Sequence, residues 1–389
     1  MTSPHALWDV FCRVIDNRGD AGVCWRLARN LGLRGQRVRL WIDVPAALDG
    51  MADDDDRALQ AAGSIEVGSW NASLEADFAT ARRAPGDRVI EAFGCEPPDA
   101  VVEALARRGP QAPPWINLEY LSAEDHVERL HGLPSPLLAG PGRGLTRWFF
   151  YPGFTARTGG LLREPGLAAR IQAPRVPAQR EFAVTLFHYP LPQVDAWIDE
   201  LSARGAPGPL RWLRCGASGA AGSPDLAATT TDARGVAVLP WMSQSGYDRL
   251  LAAADLNVVR GEDSAVRAQW AARPFIWHFY PQADGAHVPK IRAFLKRHLH
   301  GFDGALAAGD PLAADITQAF EAWNGLAPAD TLAPALSRLM RRHAAWCRHV
   351  EAWRDHLASQ PDLATQLIEF AERLESRALP DSQDPRTAP

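Results

Sequence analysis

Val14-Ile15-Asp16-Asn17-Arg18-Gly19-Asp20-Ala21-Gly22-Val23-Cys24-Trp25-Arg26-Leu27-Ala28-Arg29-Asn30 is the stretch where an apolar run gives way to a helical pattern. Before it, Trp8, Val10, Phe11, Val14 and Ile15 suit a buried strand; after it, Val23, Leu27 and Leu31 recur at helical spacing. The two carboxylates therefore fall on a strand-to-helix loop, which in an open α/β sheet is where ligands bind. Gly19 and Gly22 allow backbone to approach a ligand closely or to take positive φ. The alternative is that Asp16 or Asp20 simply caps the helix. Two aspartates flanking Asn-Arg-Gly are more than a cap needs.

Outward from this loop the pattern repeats. Trp8 to Ile15, Val38 to Val44, Ser64 to Val67, Val89 to Ala92, Trp115 to Leu118 and Arg147 to Tyr151 read as strands. Val23 to Leu33, Ala72 to Ala81 and Pro98 to Arg107 read as helices between them, which predicts a parallel sheet with helical crossovers. Asp53 to Asp56 reads as a solvated acidic loop. Pro and Arg cluster over residues 173–180, a linker by composition. A second alternation follows, with strands at Phe182 to Phe187, Leu210 to Leu213, Val236 to Leu239, Leu256 to Val259 and Pro274 to Phe279. Gly216 to Gly235 reads as a loop, Tyr247 to Ala254 as a helix, and a further helix starts near Asp263. Residues 332–378 are largely helical, and 379–389 lose all periodicity, as a disordered tail would.

At 389 residues the chain exceeds one ordinary core, so two domains with a ligand cleft between them are expected. With 47% hydrophobic and 22% charged residues it is globular, and a net charge of -5 argues against a nucleic-acid binder. No leader pattern and no long uncharged apolar run occurs, so a cytoplasmic protein with no membrane partner is expected. The five cysteines are scattered and odd in number, as reduced thiols would be rather than disulfides or a zinc site.

Arg260-Gly261-Glu262-Asp263-Ser264 mirrors the first loop: an apolar run, a glycine, then polar residues at a helix start. Unpaired N–H groups there favour an anion such as phosphate, held with Ser264, while Glu262 binds a sugar or ribose hydroxyl. A helix capped by Asp263 or Ser264 is the competing reading. The run Gly140-x-Gly142-x-Gly144 lacks both the spacing of a dinucleotide fingerprint and a following helix, and no P-loop, His-Glu-x-x-His or Gly-x-Ser-x-Gly motif occurs. His278 and His287 are read as structural or surface residues, and no metal site is expected.

Several blocks match something more specific. They are Trp8-Asp9, Val14-Ile15-Asp16-Asn17 with Gly19-Asp20, Trp25-Arg26-Leu27-Ala28-Arg29, Trp115-Ile116-Asn117-Leu118-Glu119-Tyr120-Leu121-Ser122-Ala123-Glu124 and Trp148-Phe149-Phe150-Tyr151-Pro152-Gly153-Phe154. Arg260 to Ser264, Val266-Arg267-Ala268-Gln269-Trp270-Ala271 and Tyr280-Pro281-Gln282 complete the set. Together they resemble the bacterial elongation factor P arginine rhamnosyltransferases, through both halves of the chain. The resemblance implies a GT-B glycosyltransferase: two Rossmann-like α/β domains facing across a cleft, with C-terminal helices. It further implies an inverting transfer of L-rhamnose from dTDP-β-L-rhamnose to one arginine of elongation factor P, a post-translational modification in translation, with no cofactor beyond the donor substrate. The expected division is an acceptor-binding domain over residues 1–172, the linker, a nucleotide-sugar-binding domain over 181–331 and helices over 332–378. On this resemblance Asp20 is the catalytic base and Asp16 its partner. Gly19, Phe187, Tyr189, Gln244, Tyr247, Glu262, Asp263 and Ser264 fall on the donor side. Arg18 stands where the family pattern has an aromatic residue, Ala21 where it has a larger aliphatic one and Ala265 where it has phenylalanine.

The chemistry agrees with these residue types. A guanidinium stays protonated at working pH, so a single displacement needs a carboxylate to orient it and take a proton. The departing diphosphate needs its negative charge stabilised, which a helix N-terminus can do. Two other readings stand beside this one: a nucleotide-sugar enzyme acting on a small molecule, and a non-catalytic module that recognises a translation factor.

Overall fold

The computed structural model describes residues 6–15, 18–171, 181–204, 208–217 and 230–378. The proposed linker, the tail and Asp16 lie outside them. Strands β1 (Leu7–Cys12), β2 (Arg37–Ile42), β3 (Ile65–Ser69), β4 (Arg88–Ala92), β5 (Trp115–Leu118), β6 (Pro134–Pro136) and β7 (Thr146–Phe150) form one sheet in the order β3-β2-β1-β4-β5-β7-β6. All are parallel except the edge strand β6, which the sequence reading missed. Helices α1 (Gly19–Gly32), α2 (Asp54–Ala61), α3 (Ala72–Ala79), α4 (Asp99–Ala106), α5 (Asp125–Leu130) and α6 (Leu167–Arg170) connect and follow these strands.

The second sheet holds β8 (Phe182–Leu186), β9 (Leu210–Ala217), β10 (Thr230–Thr231), β11 (Ala237–Pro240), β12 (Leu256–Arg260) and β13 (Phe275–His278), in the order β10-β11-β9-β8-β12-β13. Its helices are α7 (Val194–Arg204), α8 (Gln244–Ala253) and α9 (Gly261–Ala271), followed by α10 (His287–His300), α11 (Pro311–Trp323), α12 (Leu332–Arg341), α13 (His343–Ala358) and α14 (Leu363–Ala378). The segment expected as a loop from Gly216 to Gly235 begins in β9 and includes the short antiparallel β10.

The apolar cores of the two sheets exchange segments: Leu121, Phe154, Leu161 and Leu167 of the first half pack with the second sheet, and the last helix packs with the first. Leu363, Leu367, Phe370 and Leu374 of α14 recur at helical spacing and are buried among Trp8, Ile90, Ile116 and Phe150 of the first sheet. The last helix thus crosses back to the first half, where Glu375 takes a two-pronged bond from Arg88 at 2.6 and 2.9 Å.

Two carboxylates are buried within the first sheet and are satisfied. Asp9 accepts Arg39 Nε and Nη2, each at 2.7 Å, together with the indole N–H of Trp41. Glu91 accepts from Trp115 and Arg147, both at 3.1 Å. Burial pushes the Glu91 carboxyl up to about 7, against the opposing pull of Arg147 and Trp115. A folded-state value above the unfolded one, about 4.3, favours the fold fully below that pH, and the contribution is lost as pH rises through about 7. Glu91→Gln, which cannot ionise, should therefore gain in melting temperature over wild type above neutrality and lose that advantage towards about pH 5. Melts across this range check it; a difference that does not vary with pH contradicts it.

The acidic run expected as a solvated loop is instead the start of α2. Asp53 and Asp56 form a reciprocal capping box, and Asp56 is buried against Arg29 Nε at 2.7 Å. A run of four aspartates looks solvated on charge alone; the guanidinium that compensates it comes from α1.

Candidate active site

Leaving aside the antiparallel edge strands β6 and β10, both sheets reverse strand order once, between β1 and β4 in the first and between β8 and β12 in the second. A crevice opens at such a switch point because neighbouring crossovers leave in opposite directions. The loop from β1 to α1 leaves the first reversal; the loops after β8 and β12 leave the second. The two motif loops singled out in the sequence therefore sit at the two crevices.

Between them lies a cavity of about 860 Å³. The first half lines it with Arg18, Gly19, Gly22 and Asp49, the second with Phe187, Tyr189, Trp241, Tyr247 and the turn from Arg260 to Ser264. Gln244 pins the halves together: its backbone N–H donates to Met51 O at 3.0 Å and its Nε2 to Gly22 O at 2.9 Å. Its Oε1 is buried with no hydrogen-bond partner among the described residues, a ready acceptor at the wall. Phe187 and Tyr247 meet edge-on at 5.7 Å, and the Arg260 guanidinium lies over Phe187 and Tyr189 at 4.6 and 5.0 Å. Burial pushes the Tyr247 phenol up from its ordinary value, against the opposing pull of Ser264.

Asp20 does not cap α1. The helix starts at Gly19, four residues before the first apolar repeat, and its N-cap residue Arg18 makes no side-chain cap. The Asp20 carboxylate is buried to 4% exposure; one oxygen accepts the Ile15 N–H at 2.9 Å and the other meets the Tyr120 hydroxyl at 3.5 Å. Tyr120 stacks on Phe93 with centroids 4.4 Å apart. Phe93 holds φ at +59°, a costly conformation for a residue with a Cβ, kept by its N–H bond to Leu118 O. Ile15 and Tyr120 remain exposed at 72% and 37% beside the carboxylate. Asp20 thus stands at the edge of the cleft, next to apolar surface on which a second molecule can rest.

On the facing side α9 begins at Gly261, whose φ of +69° only glycine adopts readily. Neither Asp263 nor Ser264 is its N-cap: that residue is Arg260, which makes no side-chain cap bond, and a helix start of this kind favours an anion. Glu262 reaches across to accept the Leu121 N–H at 3.0 Å while lining the cavity. Asp263 accepts from Arg26 Nε of α1. Arg26 is fully buried and also meets Asp248 at 2.9 Å and Glu164 at 3.4 Å; Arg267 meets the same two carboxylates at 2.8 and 2.7 Å. Burial alone would push Glu164 up, but Arg267 and then Arg26 outweigh it and hold the carboxyl well below its usual range. This network, invisible in local sequence, locks α1 to α8 and α9 beneath the cavity.

Trp241 is a site residue that the sequence reading missed. It follows the carboxyl end of β11 as Phe187 follows β8, and that shared position was the signal available. Among the described residues no group of three or more His, Cys, Asp or Glu side chains is arranged to hold a metal ion, and the five cysteines are free thiols.

The chain was compared with known proteins. The family model described as elongation factor P (EF-P) rhamnosyltransferase EarP matches residues 8–372. The chain belongs to this family. The resemblance drawn from the motif blocks is thereby borne out. A protein-arginine rhamnosyltransferase of Pseudomonas aeruginosa is 40% identical, over 94% of this chain and 98% of its own length. One from Pseudomonas putida is 41% identical with the same coverage. A solved structure described as the basis for EarP-mediated arginine glycosylation of translation elongation factor EF-P aligns with a TM-score of 0.56 at 29% identity, covering 95% of this chain and 99% of the other. The two facing α/β sheets and the returning last helix are thus the GT-B architecture of an EarP-family chain.

Proposed function

We propose that this chain is an inverting glycosyltransferase that moves L-rhamnose from dTDP-β-L-rhamnose to an arginine side chain of elongation factor P. The observation that carries the reading is the cavity between the two switch points, with an uncapped helix start on one wall and the Asp20 loop at its edge. In this reading residues 1–172 receive the acceptor and residues 181–331 the donor. Phe187, Tyr189 and Tyr247 enclose the nucleotide, Gln244 Oε1 accepts a hydrogen bond from it, and the turn from Gly261 to Ser264 faces the diphosphate. Gly19 brings backbone close to the donor from the first half, and Glu262 binds a hydroxyl of the sugar.

Transfer then runs as one displacement. The arginine nitrogen attacks C1 of the sugar, the bond from C1 to the diphosphate oxygen breaks, and the electron pair leaves with dTDP. Asp20 takes the guanidinium proton as the new N–C bond forms. Asp16 is assigned to orienting the guanidinium, by resemblance to the family. The N–H groups of α9 meet the charge that develops on the leaving oxygen. A translation factor as acceptor assigns the reaction to the cytoplasm; among the described residues no helix is long and apolar enough to cross a membrane.

Incubating purified elongation factor P with the protein and dTDP-β-L-rhamnose should add the mass of one deoxyhexose residue to a single arginine. Donor binding without any such addition would turn the assignment to a small-molecule acceptor. Capture of elongation factor P without donor binding would leave a recognition module.

A further inference from the structure

Arg18 is the one guanidinium that enters the cavity wall from the loop beside Asp20, and it is held from both sides of the cleft. Its Nη1 donates to Asp49 O at 2.8 Å in the first half, and its guanidinium lies 4.5 Å from the ring centre of Trp241 in the second. The Trp241 indole N–H is itself buried with no hydrogen-bond partner among the described residues. Arg26, which lines the same cavity, is matched by three carboxylates, but no carboxylate lies within 4 Å of Arg18 among the described residues. The acidic groups that share the wall are Asp49, Glu262 and Asp263, of which the last is held by Arg26 and Glu262 holds the Leu121 N–H.

An aromatic face orients a guanidinium without neutralising it, leaving its charge and its remaining N–H groups for an anion. We propose that Arg18 is a second diphosphate-binding group, supplied by the first half opposite the α9 helix start and aligned by Trp241. It rests on the donor reading above. Arg18 would hold the non-bridging oxygens that the helix start leaves facing the first half.

The test is calorimetric titration of dTDP, dTMP and thymidine into the full chain as wild type, Arg18→Ala, Arg18→Lys and Trp241→Leu, each with a thermal melt. Arg18→Ala should weaken dTDP about tenfold or more, the scale of one charge-assisted bond, and leave thymidine unchanged. It should also flatten the salt dependence of dTDP binding, since one fewer cation is screened. Arg18→Lys should recover part of the affinity, and Trp241→Leu should lose part of it with Arg18 still present. Wild-type protein that binds no dTDP would overturn the donor reading itself. Wild type that binds dTDP while Arg18→Ala binds it equally well, or loses dTDP and thymidine in the same proportion, would overturn the role of Arg18 alone.

Discussion

Asp20→Asn should abolish most transfer while leaving the donor bound. Asparagine keeps the size of the side chain, its carbonyl oxygen can still accept the Ile15 N–H, and its amide can donate to the Tyr120 oxygen. The loop and the start of α1 should therefore survive, since Arg18 and not Asp20 is the N-cap residue of α1. What asparagine cannot do is take a proton from the acceptor guanidinium or balance its charge. General-base contributions run to about 100-fold to 10,000-fold in rate, and an acceptor that enters charged puts the loss at the upper end. The measurement is single-turnover rhamnosylation of elongation factor P, beside a dTDP titration and a melt. A folded variant that binds dTDP and transfers within a few-fold of wild type would remove Asp20 from the base role.

The largest effect on stability is expected from Arg26→Met. Methionine fills much of the same volume, but Asp248 and Asp263 would lose their Arg26 partner and Glu164 would keep only Arg267 and the more distant Arg29, at 3.9 Å, in a buried site. Removing one member of a buried ion network costs about 3–5 kcal/mol, because the groups left behind stay desolvated and uncompensated. The loss should carry a pH signature. In wild type, Glu164 is held below its unfolded value of about 4.3, so its contribution is present above that pH and is lost as pH falls through the lower folded value. Burial already pushes Asp263 up against the pull of Arg26 and Arg267, and without Arg26 it should rise further. A variant with raised folded values is least stable where its carboxylates must ionise and recovers as they protonate. The deficit of Arg26→Met should thus shrink on going from about pH 8 to about pH 5. Melts at both ends of that range decide it: a variant within a degree of wild type at both would mean the network contributes no net stability.

The two loops that carry the candidate site were legible because their signals are local. An apolar run that ends in glycine and polar residues and then turns helical marks the carboxyl end of a strand, and each such loop contains its own glycine and carboxylates: Gly19 and Asp20, Gly261 and Glu262. The parallel sheets followed from the regular alternation of β-rich runs with helical stretches, which calls for helical crossovers between parallel strands. The substrates came from resemblance in long blocks, because spacing alone favours a capped helix over an anion site at Arg260 to Ser264.

What each polar group does with its charge was decided only by the tertiary structure. Asp263 looked like a cap or a ligand, yet its partner Arg26 lies 237 residues away. Asp53 to Asp56 looked solvated because nothing nearby in sequence announces that Arg29 will cover Asp56. The periodicity of α14 revealed an apolar face but not that the first half's core would cover it. Arg18 and Trp241 acquire a joint role only where the two halves meet. Sequence determined most of the strands and helices, though not β6, β10 or the start of α2, because backbone geometry and side-chain period are local. Which charges meet across the cleft depends on how two separately wound sheets dock, and that is set by packing between residues far apart in the chain.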